Sequence, residues 1–231
     1  MPNWCFNTIR MEGIGTLDEL YSVNSEGNKD FNFNALIPMP DELKDTLSGG
    51  RIAECVILYI LETSKNFSEF KTRLVSECKG MMYLGDSYHR CKSLKEAEKE
   101  LLKDIGSNPC MYNSELFEDH PEHTPYEIGE FYYNLKQKFG FLDWYGWSCF
   151  NWGTKWNACD TVIVDNDTIR FDTAWSFPEP IIYALSKRYP NSIISLYSEY
   201  EEGETYEAEI KDGEVLSEEW GHIEYEEGET A

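Results

Sequence analysis

Alternation of apolar and polar residues with a period of two begins the chain and dominates its last third. Such alternation is typical of strands that pack one face on a core. WCFNTIRMEG predicts a strand from Trp4 to Gly13 with four residues on one face: Cys5, Asn7, Ile9 and Met11. DTVIVDNDTIRFDTAWSF predicts two strands around the turn DND. SIISLYSEY and TYEAEIKDGEVLSEE predict further strands, with turns at Glu202-Gly203 and Asp212-Gly213.

Helical periodicity marks the segments between these strands. GTLDELYSVN predicts a short helix capped by Thr16 with Glu19 completing a capping box. RIAECVILYILET is too apolar for a surface helix and predicts a buried one, whereas residues 67–79 and 92–105 predict exposed helices. YEIGEFYYNLKQKFG predicts a helix that stops at Gly140, and PEPIIYALSKRYP one that Pro190 closes. Residues 106–125 predict a loop.

The order of these elements indicates an α+β protein on a β-α-β-β-α-β plan, with two helices packed on one face of an antiparallel sheet. We expect residues 1–37 and 141–231 to form this domain. Residues 38–140 then form a large, mainly helical insertion. The last two strands add an acidic C-terminal hairpin extension to the sheet.

Composition favours a folded protein of the cytoplasm. Apolar residues make up 41% of the 231 residues, and no apolar run approaches the length of about 20 that spans a bilayer. The start of the chain lacks the basic and apolar regions of a signal peptide, so no membrane contact is expected. The 7 cysteines have no regular spacing, which favours reduced thiols.

Negative charge is concentrated at the C-terminal end. The net charge is −23, and residues 160–231 hold 19 acidic against 4 basic residues, a net of −15. Such a field repels phosphates and attracts basic surfaces. We therefore expect no direct binding of nucleic acid and favour a basic protein as partner, the alternative being an acidic sequence that serves only solubility.

Four segments carry a family resemblance: MPNWCFN at the start, NWGTKWNA at 151–158, FDTAWSFPEP at 171–180 and YSEYEEG at 197–203. Together and in this order they resemble the YubB-type ferredoxin-like family of phages and conjugative plasmids. The resemblance implies the ferredoxin-like fold, an origin in a mobile element and a bacterial host cell. It implies no reaction, since one fold serves many functions.

The acidic hairpin is the first candidate site. Alternation along ETYEAEIKDGEV places Glu204, Tyr206, Ala208 and Ile210 on one strand face and Thr205, Glu207 and Glu209 on the other. Carboxylates in rows can imitate a nucleic acid and occupy a basic groove. The alternative is a solvated hairpin whose charge protects a sheet edge. The candidate partner-binding residues are Glu199, Glu201, Glu202, Glu204, Glu207, Glu209, Asp212, Glu214, Glu218 and Glu219.

The tryptophan-rich segment FLDWYGWSCFNWGTKWNACD is the second candidate site. Tryptophan faces beside one lysine and two amides can bind a base, a nucleotide or a peptide. The candidate ligand-binding residues are Trp147, Asn151, Trp152, Lys155 and Asn157. The alternative is that the tryptophans pack the core, and a mixed arrangement would bury Trp152 and Trp175 and leave Lys155 and Trp147 at a rim.

Residue patterns for metals and catalysis are weak. Six cysteines and histidines lie close together in sequence but lack the paired spacing of zinc ligands: Cys78, His89, Cys91, Cys110, His120 and His123. Cys149 and Cys159 have no histidine in their own segment, so a base would have to come from His89, His120, His123 or His222. We expect no metal, no cofactor and no enzymatic activity.

The leading hypothesis is therefore a non-enzymatic inhibitor that binds a basic nucleic-acid-handling host protein, such as a CRISPR effector or a restriction enzyme. A second hypothesis is a small-ligand, nucleotide or peptide-binding module built on NWGTKWNA. A third is a hydrolase or nuclease in the insertion that depends on His120 or His123.

Overall fold

The computed structural model describes residues 3–11, 18–23, 27–49, 51–78, 90–107 and 124–223. The chain divides into two compact units. One comprises Met1–Pro40 together with Tyr145–Ala231, and the other comprises Asp41–Trp144. No helix in the described ranges combines the length and the apolar character needed to cross a membrane.

Strands dominate the first unit. Its strands are β1 (Trp4–Met11), β2 (Tyr21–Val23), β3 (Lys29–Phe31), β4 (Cys159–Ile163), β5 (Thr168–Ala174), β6 (Ile194–Tyr200), β7 (Glu204–Lys211) and β8 (Glu214–His222). Short 3₁₀ turns lie at Asp18–Leu20 and Phe33–Ala35. The helix that precedes β4 covers Trp144–Asn151, and the helix between β5 and β6 covers Glu179–Arg188.

Six of these strands form one antiparallel sheet in the order β4-β5-β1-β6-β7-β8. Since β4 and β1 are both antiparallel to β5, they run parallel to each other with β5 between them. For the same reason β5 and β6 run parallel on either side of β1. This is the split βαβ arrangement taken twice, and β7 and β8 extend the sheet beyond it. The predicted α+β class is confirmed.

The core of this unit lies on one face of the sheet. Residues of β1 alternate as predicted, with Cys5, Asn7, Ile9 and Met11 buried. Aromatic side chains pack edge to face on this side, with ring centroids 5.1 Å apart for Phe31 and Phe171. The helix Glu179–Arg188 adds these buried side chains: Ile181, Ile182 and Leu185.

The predicted first helix is wrong. Asp18–Leu20 forms a single 3₁₀ turn, and Tyr21–Val23 continues as a strand that pairs with Lys29–Phe31. Pairing with Lys29–Phe31 gives the backbone of Tyr21–Val23 strand partners, which a continuing helix would not allow. Thr16, the predicted cap, lies outside the described residues.

The second unit is helical in its described residues. Its helices are α1 (Asp41–Lys44), α2 (Ile52–Glu62), α3 (Phe67–Glu77), α4 (Leu94–Ser107) and α5 (Pro125–Phe139); in chain order, Trp144–Asn151 is then α6 and Glu179–Arg188 is α7. The predicted burial of α2 is confirmed by these residues: Ile52, Cys55, Val56, Ile57, Leu58, Ile60 and Leu61. A Cβ added at Gly129 of α5 would collide with the Cys55 carbonyl oxygen, so this glycine permits a close approach of α2 and α5. Gly140 ends α5 in the left-handed conformation, as predicted, with φ 82°.

Candidate functional site

A tight turn connects the last two strands of the sheet and fixes their register. Asp212 and Gly213 both have positive φ, 50° and 77°. Positive φ at both residues of a two-residue hairpin loop matches the right-handed twist of the paired strands. The Gly213 N–H donates to Ser186 Oγ at 3.0 Å, and a Cβ at this position would collide with Lys187. The turn is therefore packed against the C-terminal end of α7, which holds the β7–β8 hairpin in place.

The two faces of β7 differ as the alternation predicts. Tyr206, Ala208 and Ile210 are buried, whereas Glu207 and Glu209 are exposed. Two positions lie on the predicted faces but have a burial that the alternation alone does not predict. Thr205 is buried and pairs with Gly221, where a Cβ would collide with Thr205 Oγ1. Glu204, the first residue of the strand, is exposed opposite His222.

Carboxylates cluster on the face of β6, β7 and β8 that lies opposite the core. Glu207 faces Tyr197 of β6 on one side and Glu219 of β8 on the other. Glu209 faces Ser195 and Ser217 in the same manner. We call this surface the open acidic face and define it by Glu199, Glu207, Glu209 and Glu219. Glu207, Glu209 and Glu219 form no ion pair of 4.0 Å or less with any described residue.

A shallow groove of about 290 Å³ lies among these strands. Its eight lining residues are Ser195, Leu196, Glu207, Ala208, Glu209, Ser217, Glu218 and Glu219. Four of the eight are glutamates and none is basic. A Lys or Arg side chain is therefore the kind of group whose charge matches the groove.

The other predicted acidic residues lie elsewhere. Glu201 and Glu202 lie in the turn between β6 and β7, where Asn3 donates to Glu202 at 3.4 Å. Asp212 and Glu214 lie at the opposite end of the hairpin. The side chain of Glu218 lies on the core side, where its carboxylate accepts a hydrogen bond from Tyr206 Oη at 2.9 Å. The sequence thus predicts one surface, and the structure divides the ten residues between two faces and two ends.

An aromatic stack supports the hairpin from the core side. The rings of Phe177 and Tyr206 are stacked with centroids 4.6 Å apart, and Trp220 lies 4.7 Å from Tyr206. Burial and the hydrogen bond to Glu218 raise the pKa of Tyr206, so its hydroxyl stays a donor at neutral pH. Trp220 is 58% exposed. Sequence reasoning missed Trp220, although its place opposite Tyr206 follows from the hairpin register.

The tryptophans of the second candidate site are mostly core. Trp147 and Trp152 are only 7% and 4% exposed, and their ring centroids lie 5.4 Å apart. Trp152 Nε1 donates to the Ile37 carbonyl at 2.9 Å. The mixed arrangement is therefore wrong in placing Trp147 at a rim, because helix α6 turns its ring inwards, as the core alternative expects.

The two asparagines of this site form structural hydrogen bonds. Asn151 Nδ2 donates to the Trp147 carbonyl at 2.9 Å, within α6. Asn157 Oδ1 accepts from the Phe33 backbone N–H at 2.8 Å, and Asn157 Nδ2 donates to Asn32 Oδ1 at 3.2 Å. Asn157 thus joins its segment to the 3₁₀ turn Phe33–Ala35, whereas the Asn151 bond stays within helix α6.

Lys155 remains at the surface of the segment. Its Nζ lies 4.4 Å from the ring centroid of Trp156 and 5.5 Å from that of Trp175. Trp175 is 43% exposed, so the mixed arrangement is also wrong in burying it. The cause is its backbone: a φ of 77° and an N–H that donates to the Asn3 carbonyl turn the side chain outwards.

Cys159, one of the two candidate nucleophiles, lies in an environment that disfavours catalysis. Burial, followed by the nearby charges of Asp160, Asp172 and Asp30, raises the pKa of the Cys159 thiol, which disfavours the reactive thiolate. His222 ends β8, at the opposite edge of the sheet from β4 and Cys159. The separation of five strand spacings is about 24 Å, far beyond proton transfer. His89, His120 and His123 lie outside the described residues, as does Cys110.

Comparison with known proteins places a domain family at this end of the chain. Residues 151–231 match the family model described as "Ferredoxin-like domain in Api92-like protein". This domain is ferredoxin-like. The match includes three of the four segments that carry the resemblance noted above, together with the whole β7–β8 hairpin.

A solved structure is also similar over most of its length. The crystal structure of protein api92 from Yersinia pseudotuberculosis aligns with 98% of this chain and 99% of its own, at 13% identity and a TM-score of 0.36. No curated protein matches the sequence.

Proposed function

We propose that this chain is a non-enzymatic acidic protein that binds and inhibits a basic, nucleic-acid-handling host protein through its open acidic face. The observation that carries the proposal is the groove in which Glu207, Glu209 and Glu219 converge without a basic lining residue. Natural sheets place opposite charges across neighbouring strands because such pairs stabilise pairing. A pair of glutamates in that position favours a cation supplied from outside the chain.

The spacing of the carboxylates supports a role as a nucleic-acid mimic. Positions two apart on one strand lie about 6.8 Å apart, and positions on neighbouring strands about 4.8 Å apart. The sheet fixes these distances in advance, so a basic groove that evolved for phosphates would meet a rigid array of negative charge. Rigid arrays lose little entropy on binding, and their field accelerates encounter with a basic surface.

The remaining parts of the proposal follow from the sequence. The resemblance to the YubB-type family supports an origin in a phage or plasmid and action in the bacterial cytoplasm. Such an origin favours inhibition of a CRISPR effector or of a restriction enzyme as the activity. The net charge of −23 supports the expectation that the chain itself does not bind nucleic acid.

Capture from a bacterial host lysate tests the proposal. The tagged full-length protein is compared with a variant that carries Glu207→Gln, Glu209→Gln and Glu219→Gln. A control variant carries Asp45→Asn, Glu62→Gln and Glu130→Gln, which remove the same charge from exposed positions of the helical unit. We expect the wild type and the control to recover a basic nucleic-acid-binding protein that raised salt releases. Equal recovery with all three proteins would contradict the proposal.

A second candidate function is favoured by the position of Lys155 over two indole rings. The exposed part of Trp175 and the ammonium of Lys155 form a small surface that suits a flat anionic ligand such as a nucleotide. Titration with nucleotides, followed by tryptophan fluorescence, tests it against the variant Lys155→Ala. Quenching that the variant loses would support this function, and a flat titration of the wild type would contradict it.

A further inference from the structure

Strand β8 is the outer edge of the six-stranded sheet. Its other side carries no paired strand in the part of the chain that the structure describes. All nine of its residues, Glu214–His222, are exposed. Proteins commonly protect such an edge with lysine, proline or a very short strand, and β8 has none of these.

The ladder identifies the backbone groups that point outwards from this edge. The Ile223 N–H donates to the Gly203 carbonyl at 2.7 Å. In an antiparallel ladder, residues that bond to the neighbouring strand alternate with residues whose N–H and C=O point away from it. Since Glu204 pairs with His222 and Ala208 with Glu218, the outward groups belong to Glu218, Trp220 and His222.

A regular stretch of edge is long enough to accept a strand. The register shift of the hairpin lies between Glu209 and Ile210, so residues 217–222 of β8 are regular. Large apolar side chains lie within or beside this stretch on an exposed surface: Val215, Leu216 and Trp220 are 37%, 53% and 58% exposed. An added strand would therefore find both backbone partners and apolar surface for its alternate side chains.

The charge of the edge decides which strand it accepts. β8 carries Glu214, Glu218 and Glu219 and no lysine or arginine. A second copy of this chain would bring the same carboxylates against one another, which opposes pairing of two β8 strands. A segment that alternates basic and apolar residues meets Glu219 on one face with its basic positions and Trp220 on the other face with its apolar positions.

We propose that β8 binds an extended basic segment of the partner by strand addition, with hydrogen bonds to the outward groups of Glu218, Trp220 and His222. The inference rests on the proposed function, since it names how a basic partner is held. Contacts to the open acidic face would provide attraction, and strand addition at β8 would provide register and orientation.

A synthetic peptide of four Lys-Val repeats serves as the probe, with a second peptide that is N-methylated at alternate residues so that one edge cannot donate. The full-length protein is titrated with each peptide, and amide hydrogen exchange is followed by NMR. We expect slowed exchange of the Glu218, Trp220 and His222 amides with the first peptide only, and affinity about tenfold lower for the methylated peptide. Equal affinities without slowed exchange, or no binding of either peptide, would overturn the inference.

Two matched variants separate the backbone from the side chain. Glu218→Gln and Glu218→Pro both remove the carboxylate, but only proline removes the outward N–H, and an edge strand tolerates proline. We expect Glu218→Pro to bind the Lys-Val peptide about tenfold more weakly than Glu218→Gln. Equal binding of the two variants would overturn strand addition.

Two further results complete the test. Slow exchange of the same amides in the free protein would also overturn strand addition, because the edge would then already be paired. Capture of a partner through Glu207, Glu209 and Glu219 is measured with a different variant, so strand addition can fail while the proposed function stands.

Discussion

Glu207 of β7 and Glu219 of β8 lie directly opposite each other across the outer hairpin, and neither forms an ion pair with a described residue. Like charges in this position oppose strand pairing. The aromatic stack of Phe177, Tyr206 and Trp220 lies on the other face of the same hairpin and stabilises it. Aromatic packing on the core side thus keeps the two carboxylates opposite each other despite their repulsion.

Removing one charge of this pair should stabilise the protein. We expect Glu219→Gln to raise the free energy of unfolding by about 0.2–1 kcal/mol, since it relieves the repulsion from Glu207. Urea denaturation measures the change. Glu214→Gln is the matched control, because Glu214 lies opposite Lys211 and its loss should not stabilise. A Glu219→Gln variant less stable than the wild type would contradict the repulsive pair.

The centre of the sheet depends on a buried amide. Asn7 Nδ2 donates to Thr173 Oγ1 at 2.9 Å and to the Phe171 carbonyl at 3.2 Å, while Asn7 Oδ1 accepts from Ser198 Oγ at 2.9 Å. Asn7→Ala leaves buried groups of β5 and β6 without this partner. We expect a loss of about 1–3 kcal/mol for each group left without a hydrogen bond, measured by urea denaturation. Asn191→Ala, at an exposed position, should change stability little, and equal effects would contradict this role of Asn7.

Stability should depend on pH through Asp172. Burial, and next the charge of Asp160, raise the pKa of this carboxyl from 3.8 to about 6. The folded protein therefore binds the proton more tightly than the unfolded chain. The ionised group destabilises the fold above a pH of about 6, and this penalty disappears as the pH falls towards 3.8.

Asp172→Asn should remove this penalty. We expect the variant to be more stable than the wild type at about pH 7 and to lose that advantage at about pH 4. Thermal unfolding over this range measures the difference. Glu201→Gln, at an exposed position, is the control and should show no such trend. An advantage for Asp172→Asn that is independent of pH would show that ionisation is not its cause.

The backbone of Trp175 offers a test of local strain. Its φ of 77° is a conformation that glycine adopts freely and other residues adopt at a cost of about 1–2 kcal/mol. We therefore expect Trp175→Gly to be more stable than Trp175→Ala by about that amount. The same comparison at Ser217, in the middle of β8, should give the opposite order, because glycine weakens a strand. Equal stability of the two Trp175 variants would contradict the strained backbone.

Periodicity predicted the elements that local sequence patterns determine. The strands of the last third and the burial of α2 follow from local patterns of two and of 3.6 residues. The turn at Asp212 and Gly213 was predicted for the same reason, since its chemistry is contained in two residues. The α+β class followed from the order of these elements, and the family resemblance implied the ferredoxin-like fold.

The predictions failed where contacts with distant segments of the chain determine the position of a side chain. The mixed arrangement is wrong for both Trp147 and Trp175 because helix α6 and the Asn3 carbonyl orient their side chains, and neither influence is visible in the local pattern. The acidic residues were predicted as one surface, but the register shift between Glu209 and Ile210 and the bond from Tyr206 to Glu218 separate them. Net charge predicts the kind of partner, whereas register decides which carboxylates can meet it.

The affinity for the captured partner, measured by calorimetry over a range of salt concentrations, tests the open acidic face most directly. We expect wild-type affinity to fall steeply with salt, and the variant Glu207→Gln, Glu209→Gln, Glu219→Gln to bind more weakly with a shallower dependence. The control variant of the helical unit should follow the wild type. Identical affinity and salt dependence of the wild type and the Glu207, Glu209 and Glu219 variant would contradict the account.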